Sequence, residues 1–423
     1  MTHARKTISV IGLGYVGLPT AATFASRGIA VVGVDIREET VARVNSGAAH
    51  FIEPDLDLVL RSVVASGHLR ATTAPEPADA FLIAVPTPIR DDRTADLSAV
   101  NAALASIAPV LKRGDLVVIE STCPVGTTAR AARRLRALRP DLSFPDTAPG
   151  ESDVLLAYSP ERILPGQTLR ELIDNPRTYG GLDHRSAVAT RDLYAVFATG
   201  PSRLTTAPAA ELSKLAENAY RDVNCAFANE LSLVCDAFGL DVWSVIGLAN
   251  LHPRVDILSP GAGVGGHCIP VDPWFIHEAL PNHTPLIRTA REVNDNKPLY
   301  VAERIAAASA RFPAPVIAVL GLAYKPNVDD LRESPALRVA GELAARETGR
   351  LMIVEPHVGH LPAGLAGRAG VTLAGLDEAL AQADVVAVLV GHDAFRTIDP
   401  ACLAGKAVVD VVGLTAVPAV EAA

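Results

Sequence analysis

The stretch GVGGHCIPVD, residues 263–272, sets a single thiol, Cys268, among glycines. Unpaired cysteines are usually small core hydrophobes, so this setting means either a plain turn or a nucleophile that a ligand must approach closely. A useful thiolate needs a cation or a helix end beside it. The long helical pattern before the loop supplies a candidate. Lys214, Asn218 and Arg221 fall at i, i+4 and i+7 and share one face, which Cys225 continues. No acidic residue interleaves on that face, and asparagine is a poor choice for an exposed helix interior. An ammonium, an amide and a guanidinium in a row suit a polar, anionic ligand, and Lys214 can activate Cys268 if this face meets the loop. His252 and Arg254, in HPRV, lie between helix and loop. The adjacent His267 points elsewhere in an ordinary backbone. The glycines lack a following GK[ST], so a backbone nest against a sugar fits better than a nucleotide-triphosphate loop.

A second constellation opens the chain. ISVIGLGYVG carries Gly12, Gly14 and Gly17 in the G-x-G-x-x-G spacing, after a strand-like run and before a helical one. The first glycine permits the tight turn, the second lets a pyrophosphate approach, and the third allows close helix–strand packing. The helix start then offers amide donors to the phosphates. Asp35 ends the next strand, where a carboxylate accepts both ribose hydroxyls and repels a 2′-phosphate, so the expected coenzyme is NAD rather than NADP. Arg37, two residues on, softens that preference. Thr87 in VPTP and Thr122 in ESTCPVGT sit at later strand ends. They either line the nicotinamide end of the crevice or simply cap helices.

A nicotinamide coenzyme together with a nucleophilic thiol implies a particular chemistry. A primary alcohol gives up one hydride to become an aldehyde. The aldehyde does not readily give a second, because an acyl cation would remain. Adding a thiol first makes the carbon tetrahedral, and hydride loss then yields a thioester that water hydrolyses. The pair therefore suits a four-electron oxidation from alcohol to acid.

The elements that must hold these groups alternate. ISVIG, VVGVD, FLIAV, LVVIE and VLLAY are apolar on both faces, as buried parallel strands are. Alanine-rich amphipathic runs separate them. From Ala207 to Gly239 the alternation gives way to one helical pattern without a proline after Pro208, long enough to act as a spine between domains or across a dimer. A further helix-rich stretch reaches about Arg311. Strand-like runs then return in VIAVLGLAY, RLMIVEP, DVVAVLV and AVVDVVG. The expected fold is α/β, with two Rossmann-like doubly wound domains joined by a long central helix and a helical middle domain. The expected boundaries are residues 1–206, 207–311 and 312–423.

The bulk properties agree. A chain of 423 residues is too long for one ordinary core. A net charge of −9 argues against a nucleic-acid or membrane-surface binder, so an anionic ligand must meet a local cation cluster. The N-terminal apolar run breaks at glycines before reaching the length of a signal or membrane segment. Five scattered cysteines suggest neither a disulfide framework nor a zinc site. The expectation is a soluble cytoplasmic protein.

The motifs GLGYVGLPTA, AVPTP, ESTCPVGTT, SPERILPG, ELSKLAENAYRDVNCAFANE, GVGGHCIPVDP and GLAYKPNVDDLRESP resemble, in this order and over essentially the whole chain, the UDP-glucose/GDP-mannose dehydrogenase family. LHPRVDILSPGAGVGGHCIPVDPWFI and LIRTAREVNDNKP are most similar to its branch that oxidises UDP-N-acetyl-D-mannosamine. The resemblance implies NAD-dependent oxidation of C6 of a UDP-sugar to a carboxylate, supplying surface polysaccharide precursors. It implies Cys268 as nucleophile, Lys214 for proton transfer or oxyanion stabilisation, and Asn218 at the reacting carbon. Asp272 and Thr122 would hold the catalytic water, and Glu161 would serve thioester hydrolysis. Arg162, Ile163, Arg221, His252, Arg254 and Gly265 would contact the sugar nucleotide, with Arg254 reaching a neighbouring subunit. Tyr324 and Lys325 would clamp it from the C-terminal domain. Tyr15, Val16, Asp35, Thr87, Thr122 and Arg332 would face NAD. A homodimer or larger homo-oligomer built on the long helix is implied. One departure is Val412, in VVDVVGLT, where relatives often carry a cation after the last strand's aspartate. UDP-glucose, UDP-N-acetylglucosamine or GDP-mannose oxidation differs only in pocket shape. A two-electron hydroxyacid dehydrogenase would have no use for Cys268, and a non-catalytic nucleotide-sugar sensor would have none for Cys268, Lys214 and Glu161.

Overall fold

A computed structural model describes residues 7–164 and 166–415. The chain divides into two compact units, Met1–Ala216 and Glu217–Ala423, and the boundary falls inside the helix Ala207–Phe238. That helix ends one residue before the glycine that its sequence pattern reaches.

The first unit is built on eight strands: β1 Thr7–Ile11, β2 Ala30–Val34, β3 Leu69–Thr72, β4 Ala80–Ile83, β5 Leu116–Ile119, β6 Leu155–Tyr158, β7 Arg177–Gly181 and β8 Ser202–Thr206. Their order is β3-β2-β1-β4-β5-β6-β7-β8. All neighbours are parallel except β6 and β7. AFLI in β4 and LVVI in β5 are buried at every residue. Ile8, Val10, Leu82 and Val118 pack into one core, and Phe81, Ile83, Val117 and Ile119 into a second. Alternate residues thus feed helices on both faces, which explains why these strands read as unbroken apolar runs. The order reverses between β1 and β4, and a crevice forms at the carboxyl ends of the strands flanking such a reversal.

The second unit holds the rest of the long helix, the helices Val242–Ala249, Asp272–Ala279 and Pro285–Ser309, and a second sheet. Its strands are β9 Val316–Leu320, β10 Arg350–Val354, β11 Val371–Leu373, β12 Val385–Val388 and β13 Ala407–Asp410, ordered β11-β10-β9-β12-β13 and parallel throughout. This repeats the arrangement of the first five strands of the chain. The fold is α/β, with two Rossmann-like sheets and a helical stretch between them in sequence.

Four strands were not legible in the sequence. β11 is only three residues long, and β3 (LRAT), β7 (RTYGG) and β8 (SRLTT) lack apolar runs.

Within the second unit the long helix packs on Pro285–Ser309 through a polar seam. Arg291, 1% exposed, donates to Asp222 at 2.5 Å and also pairs with Asp295. Asn294 donates to Asp222 Oδ1 at 2.8 Å and accepts from Asn229 at 2.9 Å. One turn later Pro298 interrupts the helix interior. Proline has no N–H, so the Asn294 carbonyl loses its intrahelical partner. That carbonyl and the Pro298 ring lie 3.1 and 3.2 Å from where a Cβ on Gly263 would stand. The glycine loop is seated on this break.

Candidate active site

In the first unit, the turn after β1 has the geometry expected of a pyrophosphate cradle. A Cβ on Gly17 would lie 1.9 Å from the Gly12 carbonyl oxygen, so only glycine lets the helix Gly17–Ser26 start there. A Cβ on Gly14 would meet nothing within 4 Å, which leaves open space over the turn. No side chain caps the helix at Val16, so the amides of its first turn suit an anion. Asp35 accepts from Leu13 N at 3.1 Å and from Arg37 N at 3.0 Å, and is tied to both the glycine turn and the β2 end. The Arg37 guanidinium, 61% exposed, stands 3.4 Å from the same carboxylate. Tyr15 stacks on Phe51 with ring centroids 4.3 Å apart. These residues fit NAD.

The strand-end threonines meet, since Thr87 Oγ1 donates to the Thr122 carbonyl at 2.6 Å. Lys214 and Glu161, 53 residues apart, also come together. Lys214 Nζ lies 3.1 Å from Glu161 Oε1 and donates to the Glu161 carbonyl at 2.8 Å, with the two side chains only 9% and 12% exposed. The sequence-based expectation is that no acidic residue interleaves on this helix face; the acidic partner of Lys214 comes from outside the helix. The acid comes from the SPER loop after β6, where local helix sequence carries no trace of it. Glu161 Oε2 also accepts from Ile163 N at 2.9 Å, and Ile163 leans on the core. The Arg162 guanidinium donates to the Pro176 carbonyl and to Thr178 Oγ1.

Glu211 and Glu120 are among the buried acids that escaped the sequence reading. Glu211, one turn before Lys214, accepts from Gly126 N at 2.5 Å and from Thr128 N and Oγ1 at 2.7 Å. It thereby anchors the helix start to the Thr122 loop. Burial raises its carboxyl above the ordinary range. Glu120, 2% exposed, accepts from the Tyr194 hydroxyl, and its Oε2 has no partner among the described residues. Burial pushes its carboxyl up to about 7, against the pull of Arg177 and the Tyr194 bond and with a further push from Glu161. The folded chain therefore holds a proton that the unfolded chain releases above its ordinary pKa of 4.5. Stability falls as pH rises from that value toward neutrality, and levels off above it. Glu120→Gln removes this loss. Urea unfolding should show the variant gaining about 3 kcal/mol on the native protein between pH 4.5 and pH 8. A stability difference that does not change with pH would contradict the burial argument.

The second unit holds the thiol. The Cys268 carbonyl accepts from Val271 N at 3.1 Å and Asp272 N at 2.9 Å, which turns the loop into the helix Asp272–Ala279. Asp272, 3% exposed, accepts from Asn218 Nδ2, so the long helix is tied to the turn that carries the thiol. The loop's glycines answer to close neighbours. Gly266 has φ +87°, and a Cβ there would stand 2.9 Å from the Tyr324 ring. Gly265 packs as tightly on the Tyr324 Cβ and the Glu333 carbonyl. Cys268, Asp272, Asn218, Gly265 and Tyr324 thus form one cluster. The Lys325 ammonium lies 5.6 Å from the Tyr324 ring centroid.

The remaining candidates are placed as follows. Arg221, His252 and Arg254 are exposed, and Arg254 N donates to His252 Nδ1 at 3.3 Å. Arg332 pairs with Asp330, while its carbonyl accepts from Gly266 N at 3.2 Å. At Val412, the backbone N–H joins those of Gly413 and Thr415 on the Asp410 carboxylate. The turn after β13 is organised without a cation. Among the described residues no helix is long and apolar enough to cross a membrane.

Comparison with known proteins adds a decisive observation. Three models of the UDP-glucose/GDP-mannose dehydrogenase family match in succession: the NAD binding domain over residues 6–198, the central domain over 208–296 and the UDP binding domain over 318–416. The chain belongs to this family. As a UDP-glucose/GDP-mannose dehydrogenase family member it is an NAD-dependent oxidoreductase acting on a UDP-sugar. It is 54% identical to an NDP-N-acetyl-D-galactosaminuronic acid dehydrogenase of Ralstonia nicotianae, over 97% of this chain and 96% of that protein. It is 52% identical to a UDP-N-acetyl-D-mannosamine dehydrogenase of Yersinia pestis, over 97% and 99%. The solved UDP-D-ManNAc dehydrogenase of Pyrococcus horikoshii is 37% identical, with a TM-score of 0.86 over 98% of this chain and 97% of that one.

Proposed function

We propose that this enzyme oxidises C6 of UDP-N-acetyl-D-mannosamine to the carboxylate through a thioester on Cys268, for surface polysaccharide precursors. The observation that carries the reading is the Cys268 turn, built from glycines packed on Tyr324 and tied to Asn218 through Asp272. NAD, when bound, accepts one hydride in each of two oxidations. Cys268 sulfur adds to the C6 aldehyde between them, and its proton leaves to a base or water. The second hydride loss gives the thioester. Water then cleaves the C–S bond, returning the thiol and the acid. One alcohol, two NAD⁺ and one water become one carboxylate, two NADH and three protons.

Gly12, Gly14, Tyr15, Val16 and Gly17 receive the pyrophosphate, Asp35 the adenosine ribose, and Thr87, Thr122 and Arg332 the remaining coenzyme. The Lys214 ammonium stabilises oxyanions at C6. Asn218 orients the reacting group. Asp272 and Thr122 hold water, and Glu161 assists hydrolysis. Arg162, Ile163, Arg221, His252, Arg254, Gly265, Tyr324 and Lys325 contact the sugar nucleotide, as in the resemblance described above. We further propose three domains, 1–206, 207–311 and 312–423, a cytoplasmic location, and a homodimer. Support for the dimer comes from Tyr220, Phe227 and Val234, which recur every seven residues on the long helix and stay 72%, 58% and 44% exposed.

A substrate panel tests the reading. UDP-N-acetyl-D-mannosamine should turn over with two NADH formed per sugar. UDP-N-acetyl-D-galactosamine, UDP-N-acetylglucosamine and UDP-glucose should have kcat/KM values at least about tenfold lower. Preference for the galactosamine nucleotide, which the Ralstonia relative's name makes worth including, would overturn the sugar assignment. One NADH per sugar would overturn the four-electron route.

A further inference from the structure

The two sheets share a strand order, but their first turns are held differently. After β1, the helix begins five residues beyond Gly12, and its packing fixes the glycine turn. After β9, the corresponding GLAYKP has Ala323 for Gly14 and Pro326 for Gly17, and no helix begins until Pro335. The segment that carries Tyr324 and Lys325 therefore needs another anchor.

His392 supplies it, working from Glu355, which stands one residue beyond β10 as Asp35 stands one residue beyond β2. Glu355 Oε2 accepts from Leu322 N at 2.7 Å and Ala323 N at 3.0 Å, which pins the start of the turn. His392 Nδ1 accepts from Asn327 N at 2.9 Å, which pins its end. His392 Nε2 then lies 3.2 Å from Glu355 Oε2, so one ring joins both ends. Because Nδ1 accepts from an amide, the ring proton sits on Nε2, and the bond to Glu355 fixes that tautomer. Both side chains are sealed from solvent, at 0% and 1% exposure. Asn327 is itself at φ +61° and exchanges two hydrogen bonds with Asp393.

The register sharpens the comparison. β4 pairs Ile83 with Ile11, and β12 pairs Val388 with Leu320. Counting four residues on from each strand end, His392 stands where Thr87 stands in the first sheet. The place held in one sheet by Thr87, which bonds the Thr122 carbonyl, is filled in the other by a ring that braces the turn.

We propose that His392 is a positioning residue for the nucleotide-sugar clamp, holding Tyr324 and Lys325 in place through Asn327 without touching substrate. The inference rests on the proposed clamp role of those two residues. The test uses the full-length enzyme, UDP as binding probe in calorimetry, and steady-state kinetics with each substrate varied separately. His392→Phe keeps the ring but neither nitrogen. His392→Gln keeps a donor toward Glu355 but no acceptor near Asn327, and His392→Asn keeps the acceptor alone. We expect Phe and Gln to weaken UDP binding and raise KM for the UDP-sugar on the order of tenfold, with KM for NAD and kcat within about twofold. Asn should restore most of the affinity. Where the Phe variant fails to fold, the Gln–Asn contrast decides. Unchanged UDP affinity in folded Phe or Gln variants, beside a weakened Lys325→Ala, would overturn the brace and leave the clamp standing. Unchanged affinity in Lys325→Ala would overturn the clamp reading itself. Parallel losses in kcat and in both KM values would mark His392 as merely structural and overturn the proposal.

Discussion

Cys268→Ser will stop the enzyme after the first oxidation. A serine hydroxyl is a far weaker nucleophile than a thiolate and an alkoxide a poorer leaving group than a thiolate. The variant should release about one NADH per active site in a single-turnover experiment, then stall as aldehyde or as a trapped ester. Steady-state turnover should drop at least about a thousandfold, the scale seen when a covalent nucleophile is removed. The backbone of the turn makes the comparison clean. The Cys268 carbonyl accepts from Val271 N and Asp272 N, and serine keeps both of these backbone bonds. Binding of UDP to the variant should match the native enzyme. Two NADH per sugar at an undiminished rate would end the thioester mechanism.

Lys214→Met should cost roughly a hundred- to a thousandfold in kcat, the scale for removing one oxyanion-stabilising group. Methionine keeps the stem length and the packing, since the side chain is nearly buried. What disappears is the ammonium, with its bonds to the Glu161 carboxylate and carbonyl. Coenzyme affinity, measured by fluorescence titration with NADH, should change little, because Asp35 is held by the Leu13 and Arg37 amides while Lys214 bonds Glu161. A fall in NADH affinity matching the fall in kcat would assign the lysine to coenzyme binding. Unaltered kcat would remove it from the chemistry.

Much of this site was readable before any coordinates because its signals are local. The Gly12–Gly17 turn, Asp35 at the end of β2 and the helix Ala207–Phe238 each announce themselves within a few residues. So does the Cys268 loop, whose glycine density reflects the approach of Tyr324. Pairings across the chain were not readable. Lys214 finds Glu161 53 residues away, Asn218 finds Asp272 54 residues away, and His392 finds Glu355 37 residues away. Periodicity places a residue on a face, but only the fold supplies what stands opposite. Glu120 shows the same limit. Next to Ser121 and Thr122 it looks like any polar strand end, yet it is buried and bonded by the Tyr194 hydroxyl, 74 residues away. Strands β7 (RTYGG) and β8 (SRLTT) lacked a signal because neither carries an apolar run, although both pair in the sheet.

The interruption at Pro298 has a consequence for how this enzyme can change. The carbonyl it frees and the ring it contributes form the floor on which Gly263 lies. A residue that mended the ladder there would strengthen the helix and at the same time take away the ring on which the Gly263 loop, the proposed catalytic loop, is seated. Robustness and turnover are therefore opposed at a single backbone position, and improvement of one is bought with the other.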